Sequence, residues 1–359
     1  MTASKFISWF AISLASALAI VVTLFWLHLG QPWWPHHHNR EVRIAKLHIA
    51  ESVEGPTIWL QGGSSTWFGF DSKRLSAETG YEVVNLAFNV NMPTEFCFDE
   101  IRRFAKPNDV VILGLENSMY FRDTYSSYAV NELAIWAPDF FWSLSWERKA
   151  KYLKYLSWRK VLSGVISRLG QIAGSFDRQL KPLEPDQVIA NATAHWKGEY
   201  EGEVPAYYNY LTINRHGDFE HSDHELWRDV HDYDLMSDQP ISEMTREDFA
   251  EFVDWTKSND VRVFMSWLPM AKNEKLDLTH PKAISSISRI RSFTASFDLD
   301  FLGDPENFLM EMEDIYDTSH HLTAEGAGKR TETLIPFLKS ALAKTSTPST
   351  TSENRTDRD

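Results

Sequence analysis

The chain has a single cysteine among 359 residues, which rules out an internal disulfide and any metal cage built from cysteines. That residue, Cys97, sits in Glu95-Phe96-Cys97-Phe98, an apolar setting that reads as a buried, inert thiol. Basic residues are also scarce, with 36 Lys and Arg against 50 Asp and Glu, so the net charge is −14. Such a balance argues against nucleic-acid binding, which needs a basic face. Charge is missing altogether from residues 6–29, which contain no Asp, Glu, Lys or Arg. A run of that length can cross a bilayer as a helix. No small-x-small cleavage site follows it, because the triplet Ala15-Ser16-Ala17 lies inside the run. An uncleaved anchor is therefore expected, rather than a removed signal peptide or the core helix of a soluble protein. Trp26, Trp33 and Trp34 stand at its far end, where indoles favour the headgroup zone.

What the chain does have is apolar material, 43% hydrophobic and 13% aromatic, enough for one large domain or two small ones. Its orientation across a membrane is open on the residues alone. Lys5 precedes the span, whereas Arg40, Arg43 and Lys46 follow it, so charge counting places the following domain in the cytoplasm. A very short tail before the span and a large domain after it is also the layout of a signal anchor that exports its domain. Residues 31–56 read as a linker that begins with a Pro/Trp/His stretch. His36, His37 and His38 there read as a solvated patch rather than a metal site.

From about residue 57 the pattern alternates strand and helix. Strands are predicted over 58–60, 82–87, 109–113 and 261–268, the third a continuous apolar run of the kind buried in a parallel sheet. Helices are predicted over 71–79, 93–104, 245–258, 283–295 and 325–343. Regular alternation lapses from about 120 to 240, where aromatic and polar loops dominate. Residues 147–172 show helical periodicity with interleaved basic residues; a membrane-surface helix and a helix packed on the domain both fit, and we take the second. From 346 the chain is rich in Ser, Thr, Pro and charge, and is expected to be disordered. The pattern gives an α/β domain over 57–345 with one large insertion, after an anchor over 1–30.

Two stretches carry the chemistry. In Gly62-Gly63-Ser64-Ser65 a glycine turn follows an apolar strand and presents a serine at the carboxyl edge of the sheet, where ligands bind in open α/β folds. Ser64 is the expected nucleophile and Ser65 its register alternative; a plain helix cap explains the same turn. Near the other end, in Asp317-Thr318-Ser319-His320-His321-Leu322-Thr323, an acid stands four residues before a histidine and can orient it as a base. His321 is preferred over His320 because it directly precedes Leu322-Thr323; an ordinary helix entry capped by Asp317 or Thr323 is the structural alternative. A rival cluster, His216, His221, His224 and His231 with Asp218, Asp223 and Asp232, fits no well-defined ligand spacing and reads as a solvated loop.

Together these blocks resemble the SGNH (GDSL-like) hydrolase superfamily. The anchor and long insertion make the chain most similar to its membrane-anchored branch, which includes alginate O-acetylation proteins and the D-alanyl transfer protein of teichoic acid synthesis. The resemblance covers about residues 57–119 and 261–340, and implies a flavodoxin-like parallel sheet. It implies Ser64 as acyl-accepting nucleophile, His321 as base and Asp317 as its orienting acid. Asn117, in Gly114-Leu115-Glu116-Asn117, becomes the oxyanion donor, with the Gly63 backbone assisting, although strict register puts Glu116 there. The second-block glycine is missing from residues 85–91, where Asn89 or Asn91 can supply an amide. The usual Gly-Asp-Ser has become Gly-Gly-Ser. The implied protein is an envelope-facing O-acyltransferase or esterase acting on a polysaccharide, working beside a membrane-bound acyl-donor protein and using neither cofactor nor metal. The other reading is a catalytically inactive scaffold or glycan-binding module on the same tether.

Overall fold

The computed structural model describes residues 2–30, 37–174, 183–205, 208–220 and 231–345. The expected disordered tail, His36, and His221, Asp223 and His224 of the rival cluster lie outside these residues. Helix α1 (Ala3–His28) is long and apolar enough to cross a bilayer and is bare along most of its length. Its carboxyl end is held. Phe25 meets Phe141 edge-on at 4.9 Å, and the Gly30 N–H donates to the Ala134 carbonyl at 2.9 Å. His28 lies so close to Gly164 that a Cβ there would come within 2.2 Å of its Nδ1.

The stretch expected as a linker contains α2 (His37–Ser52), which corrects that reading. Val42, Ala45 and Ile49 fall three and four residues apart and form a buried stripe. Two cations on α2 are buried with it. Arg43 forks onto Glu100 and Asp139, with its Nη2 at 2.8 Å from each. Lys46 donates to the carbonyls of Asn85 (2.9 Å) and Ala87 (2.7 Å) and faces the Trp67 ring at 4.8 Å. Burial drives the Lys46 ammonium well below its usual range, against the pull of the Asp218 carboxylate.

The domain is mixed α/β around a four-stranded parallel sheet: β1 (Thr57–Gly62), β2 (Glu82–Asn85), β3 (Val110–Gly114) and β4 (Arg262–Met265), in the order β2-β1-β3-β4. In register, Leu60 pairs with Asn85 on one side and Ile112 on the other. Every residue of β1 and β3 is buried, as expected for strands covered on both faces. Between β1 and β2 come α3 (Ser64–Trp67) and α4 (Ser72–Thr79), the latter capped by Asp71 and ended by Gly80 at φ 74°. α5 (Thr94–Phe104) links β2 to β3. The chain leaves β1 towards β2 on one side and returns to β3 on the other. The strand order therefore reverses between β1 and β3, and open α/β folds bind ligands at the carboxyl ends of the two strands at such a point.

Between β3 and β4, residues 115–261 hold α6 (Asn117–Phe121), α7 (Ser127–Trp136), α8 (Pro138–Ser143), α9 (Trp146–Lys154), α10 (Trp158–Ile172), α11 (Pro185–Trp196) and α12 (Glu243–Ser258). The single helix expected over 147–172 is split into α9 and α10. α7 supplies the reason: Asn131 Oδ1 accepts the Ser157 N–H at 3.2 Å, and the Tyr152 hydroxyl donates to the Val130 carbonyl at 2.6 Å. After β4 come a short parallel pair, β5 (Met270–Ala271) and β6 (Leu309–Met310), with α13 (Pro281–Ala295) between them, and then α14 (Ala324–Thr345).

Candidate active site

Ser64 opens α3 directly after Gly63, which adopts extended backbone and accepts the amides of Thr66 (3.1 Å) and Trp67 (3.2 Å). Ser64 is partly exposed, whereas Ser65, the register alternative, is completely buried. Burial leaves Ser65 no route to a substrate, so the geometry favours Ser64 between the two. The glycines here answer to close packing. A Cβ on Gly62 would come within 2.2 Å of the Gly114 carbonyl, and one on Gly63 within 2.0 Å of a Glu116 carboxyl oxygen.

His321 and Asp317 face one another across a loop closed by an antiparallel bridge between Ile315 and Leu322, not along a helix face. His321 Nδ1 pairs with Asp317 Oδ1 at 2.7 Å. A proton on Nδ1 leaves Nε2 with its lone pair, the arrangement a general base needs. The other Asp317 oxygen accepts the Tyr208 hydroxyl, whose oxygen lies 3.4 Å from His321 Nδ1. Burial raises the Asp317 carboxyl, but the hydrogen bond and charge of His321, with the Tyr208 hydroxyl, outweigh it and hold the acid below its usual value. Thr323 also performs the capping role that the structural alternative gave it, accepting the Gly326 N–H at 3.1 Å.

The two distant blocks meet through Phe68. Its ring stacks on the His321 imidazole with centroids 3.9 Å apart and planes 7° apart. The Phe68 N–H donates to the Ser64 carbonyl at 3.0 Å, so the two residues lie one helical turn apart on the same face. The imidazole is thereby held beside the turn that carries Ser64. Arg330 of α14 fixes the same turn from below. Its guanidinium donates to the carbonyls of Ser65 (2.9 Å) and Trp267 (2.8 Å), joining the carboxyl ends of β1 and β4.

His320 points elsewhere. Its Nδ1 meets the Ser319 hydroxyl at 2.7 Å, and its ring packs on Tyr233 and His231 with centroids 5.0 and 5.4 Å away. Burial, with the charges of His231 and His321, pushes it from 6.5 down to about 3. The unfolded chain therefore takes the proton first, and stability is lost as pH falls from about 6.5. By pH 5 the loss should reach about 2 kcal/mol, and His320→Gln should flatten that acid limb in urea titrations at pH 7 and pH 5.

The expected oxyanion groups are placed differently from one another. The Asn117 amide donates to the Tyr233 carbonyl at 2.7 Å, so it is tied to the 231–235 segment. Asn91 turns back on Asn89, whose Oδ1 accepts both its backbone N–H (2.8 Å) and its side-chain amide (2.9 Å). Glu116 is the group at Ser64's shoulder: its Oε1 accepts the Ser65 N–H at 2.8 Å, and its Oε2 is buried with no partner. Burial raises this carboxyl, against the Ser65 amide and the His321 charge. Neutral, it donates a proton from Oε2; ionised, it repels an anion beside it.

In the rival cluster, His216 and Asp218 are buried rather than solvated, which corrects that part of the loop reading. Asp218 accepts the Ser72 amide and hydroxyl and the Asn85 amide at 2.7–2.9 Å, and His216 Nδ1 meets the Val83 carbonyl at 3.0 Å. These contacts dock the segment against α4 and β2. Tyr208, Phe68 and Arg330 were not singled out by sequence; only their contacts in the fold mark them. No family model matches the sequence, and comparison with curated proteins likewise finds no match.

Proposed function

We propose that the chain is a membrane-anchored serine acyltransferase or esterase of SGNH type. Ser64 takes the acyl group, His321 removes and returns the proton, and Asp317 orients the imidazole. The observation that carries this reading is the Asp317–His321 pair stacked through Phe68 against the Ser64 turn. The strand order β2-β1-β3-β4 supports it, since Ser64 and Glu116 then follow the two strands between which the order reverses.

The serine attacks an ester carbonyl, giving a tetrahedral intermediate whose negative oxygen needs donors nearby. In this reading neutral Glu116 takes the place of the family's asparagine, and would have to turn its buried Oε2 into the site to supply one. Collapse expels the alcohol, which takes the proton from His321, and leaves an acyl-Ser64. A sugar hydroxyl or water, deprotonated in turn by His321, then accepts the acyl group. In this reading the domain faces the envelope and works beside a membrane-bound acyl donor on a polysaccharide.

A second reading, an inactive scaffold or glycan-binding module, draws on one observation. Glu116 already takes the Ser65 amide that an oxyanion would use, and as a carboxylate it would exclude that oxyanion. A fluorophosphonate probe separates the two. Labelling of the wild type that is lost in Ser64→Ala and kept in Ser65→Ala is the expected result. A wild-type chain that stays unlabelled while folded removes the enzymatic reading.

A further inference from the structure

We infer that α8–α10 form a second membrane contact, with the outward face of α10 lying in the headgroup layer beside α1. The inference does not depend on chemistry at Ser64. Residues Leu162, Ile166, Leu169 and Ile172 of α10 are 50–74% exposed and recur at spacings of three and four, so they form one bare apolar stripe. The helix buries Val161, Gly164 and Val165 on the adjoining face, against the end of α1. Its apolar arc is thus wider than the part the protein covers.

Two further observations name what covers the rest. The first is continuity. α10 runs alongside the carboxyl end of α1, with Gly164 against His28 and the Arg168 guanidinium 5.9 Å from the Trp26 ring. The bare stripe therefore continues the bare surface of a helix long and apolar enough to sit in a bilayer. The second is charge. The whole chain carries −14, yet residues 146–172 hold seven Lys or Arg and one acid, Glu147; six remain for the flank, because Arg148 turns inward onto Glu95 and Asp248. Bare indoles accompany these charges: Trp142, Trp146 and Trp158 are 58, 86 and 47% exposed. Exposed tryptophans, a basic flank and an apolar stripe together match the chemistry of an anionic phospholipid surface.

The test uses the full chain in vesicles containing phosphatidylglycerol. Cys97 is fully buried, so a nitroxide reagent reads only an introduced thiol. Labels are placed at Ile166→Cys and Ile172→Cys, with Ile20→Cys on α1 and the exposed Ile284→Cys on α13 as references. All four residues are exposed, so the substitutions spare the core. The expected result is an oxygen-to-nickel-chelate accessibility ratio at 166 and 172 that lies clearly above that at 284 and below that at 20, as a headgroup position requires. A ratio matching 284 shows an aqueous face and overturns the inference. Labels at 166 and 172 shielded from both relaxing agents show a protein covering the stripe, and overturn it too.

Discussion

Replacing His321 by alanine is expected to lower kcat/KM for a nitrophenyl ester by about 10⁴-fold or more, with folding unchanged. A serine hydroxyl is almost wholly protonated at neutral pH, so without a base the attack must begin from the poor nucleophile. Two contacts hold the imidazole, Asp317 on Nδ1 and the Phe68 ring against its face, and the Tyr208 hydroxyl holds the far oxygen of Asp317. Asp317→Asn should produce a loss of similar order, because an amide no longer fixes the proton on Nδ1. Tyr208→Phe should cost far less, since Asp317 keeps its bond to His321. Steady-state kinetics beside thermal unfolding checks the series. An His321→Ala variant that keeps wild-type turnover would place the base elsewhere.

The largest effect on stability is expected at Arg43. Arg43→Met should cost about 3–5 kcal/mol, because it leaves the buried Glu100 carboxylate without its fork. The guanidinium donates to both oxygens of Glu100 and both of Asp139, tying α2 to α5 and α8. Arg103 remains near Glu100, with its Nε 3.5 Å away, and softens the loss without replacing the bidentate geometry. Exposed Arg74, paired with Glu332 across α4 and α14, gives the comparison: Arg74→Met should cost below about 1 kcal/mol. Urea unfolding of the full chain in detergent measures both. Equal costs would mean that the Arg43 cluster is no tighter than a surface ion pair.

The strands were legible because burial on both faces writes continuous apolar runs, as in Val110, Val111, Ile112 and Leu113. Helix ends with chemical punctuation were legible too: Asp71 and Gly80 bracket α4 as their spacing implied. α2 was missed because its apolar stripe is narrow and carries Arg43 and Lys46, whose partners lie 39 to 96 residues away in sequence. The Asp317–His321 pair could be read from spacing, although the loop that closes it is no helix. Tyr208 and Arg330 could not be read, because each acts through carbonyls or carboxylates that only the tertiary fold delivers. Glu116 was legible as a departure from the pattern that the resemblance implies; that its Oε1 accepts the Ser65 amide was visible only in space.

The clamp at the end of α1 has a mechanical corollary. With Gly30 bonded to α7 and His28 seated against Gly164, α1 is joined to the domain as a strut rather than a leash. A domain on a leash sweeps a hemisphere and dilutes its own encounters, whereas one on a strut holds its mouth at a set height above the lipid. Were α1 to span a bilayer, traffic between this protein and anything embedded in the same sheet of lipid would become a search in two dimensions, with the vertical coordinate already settled.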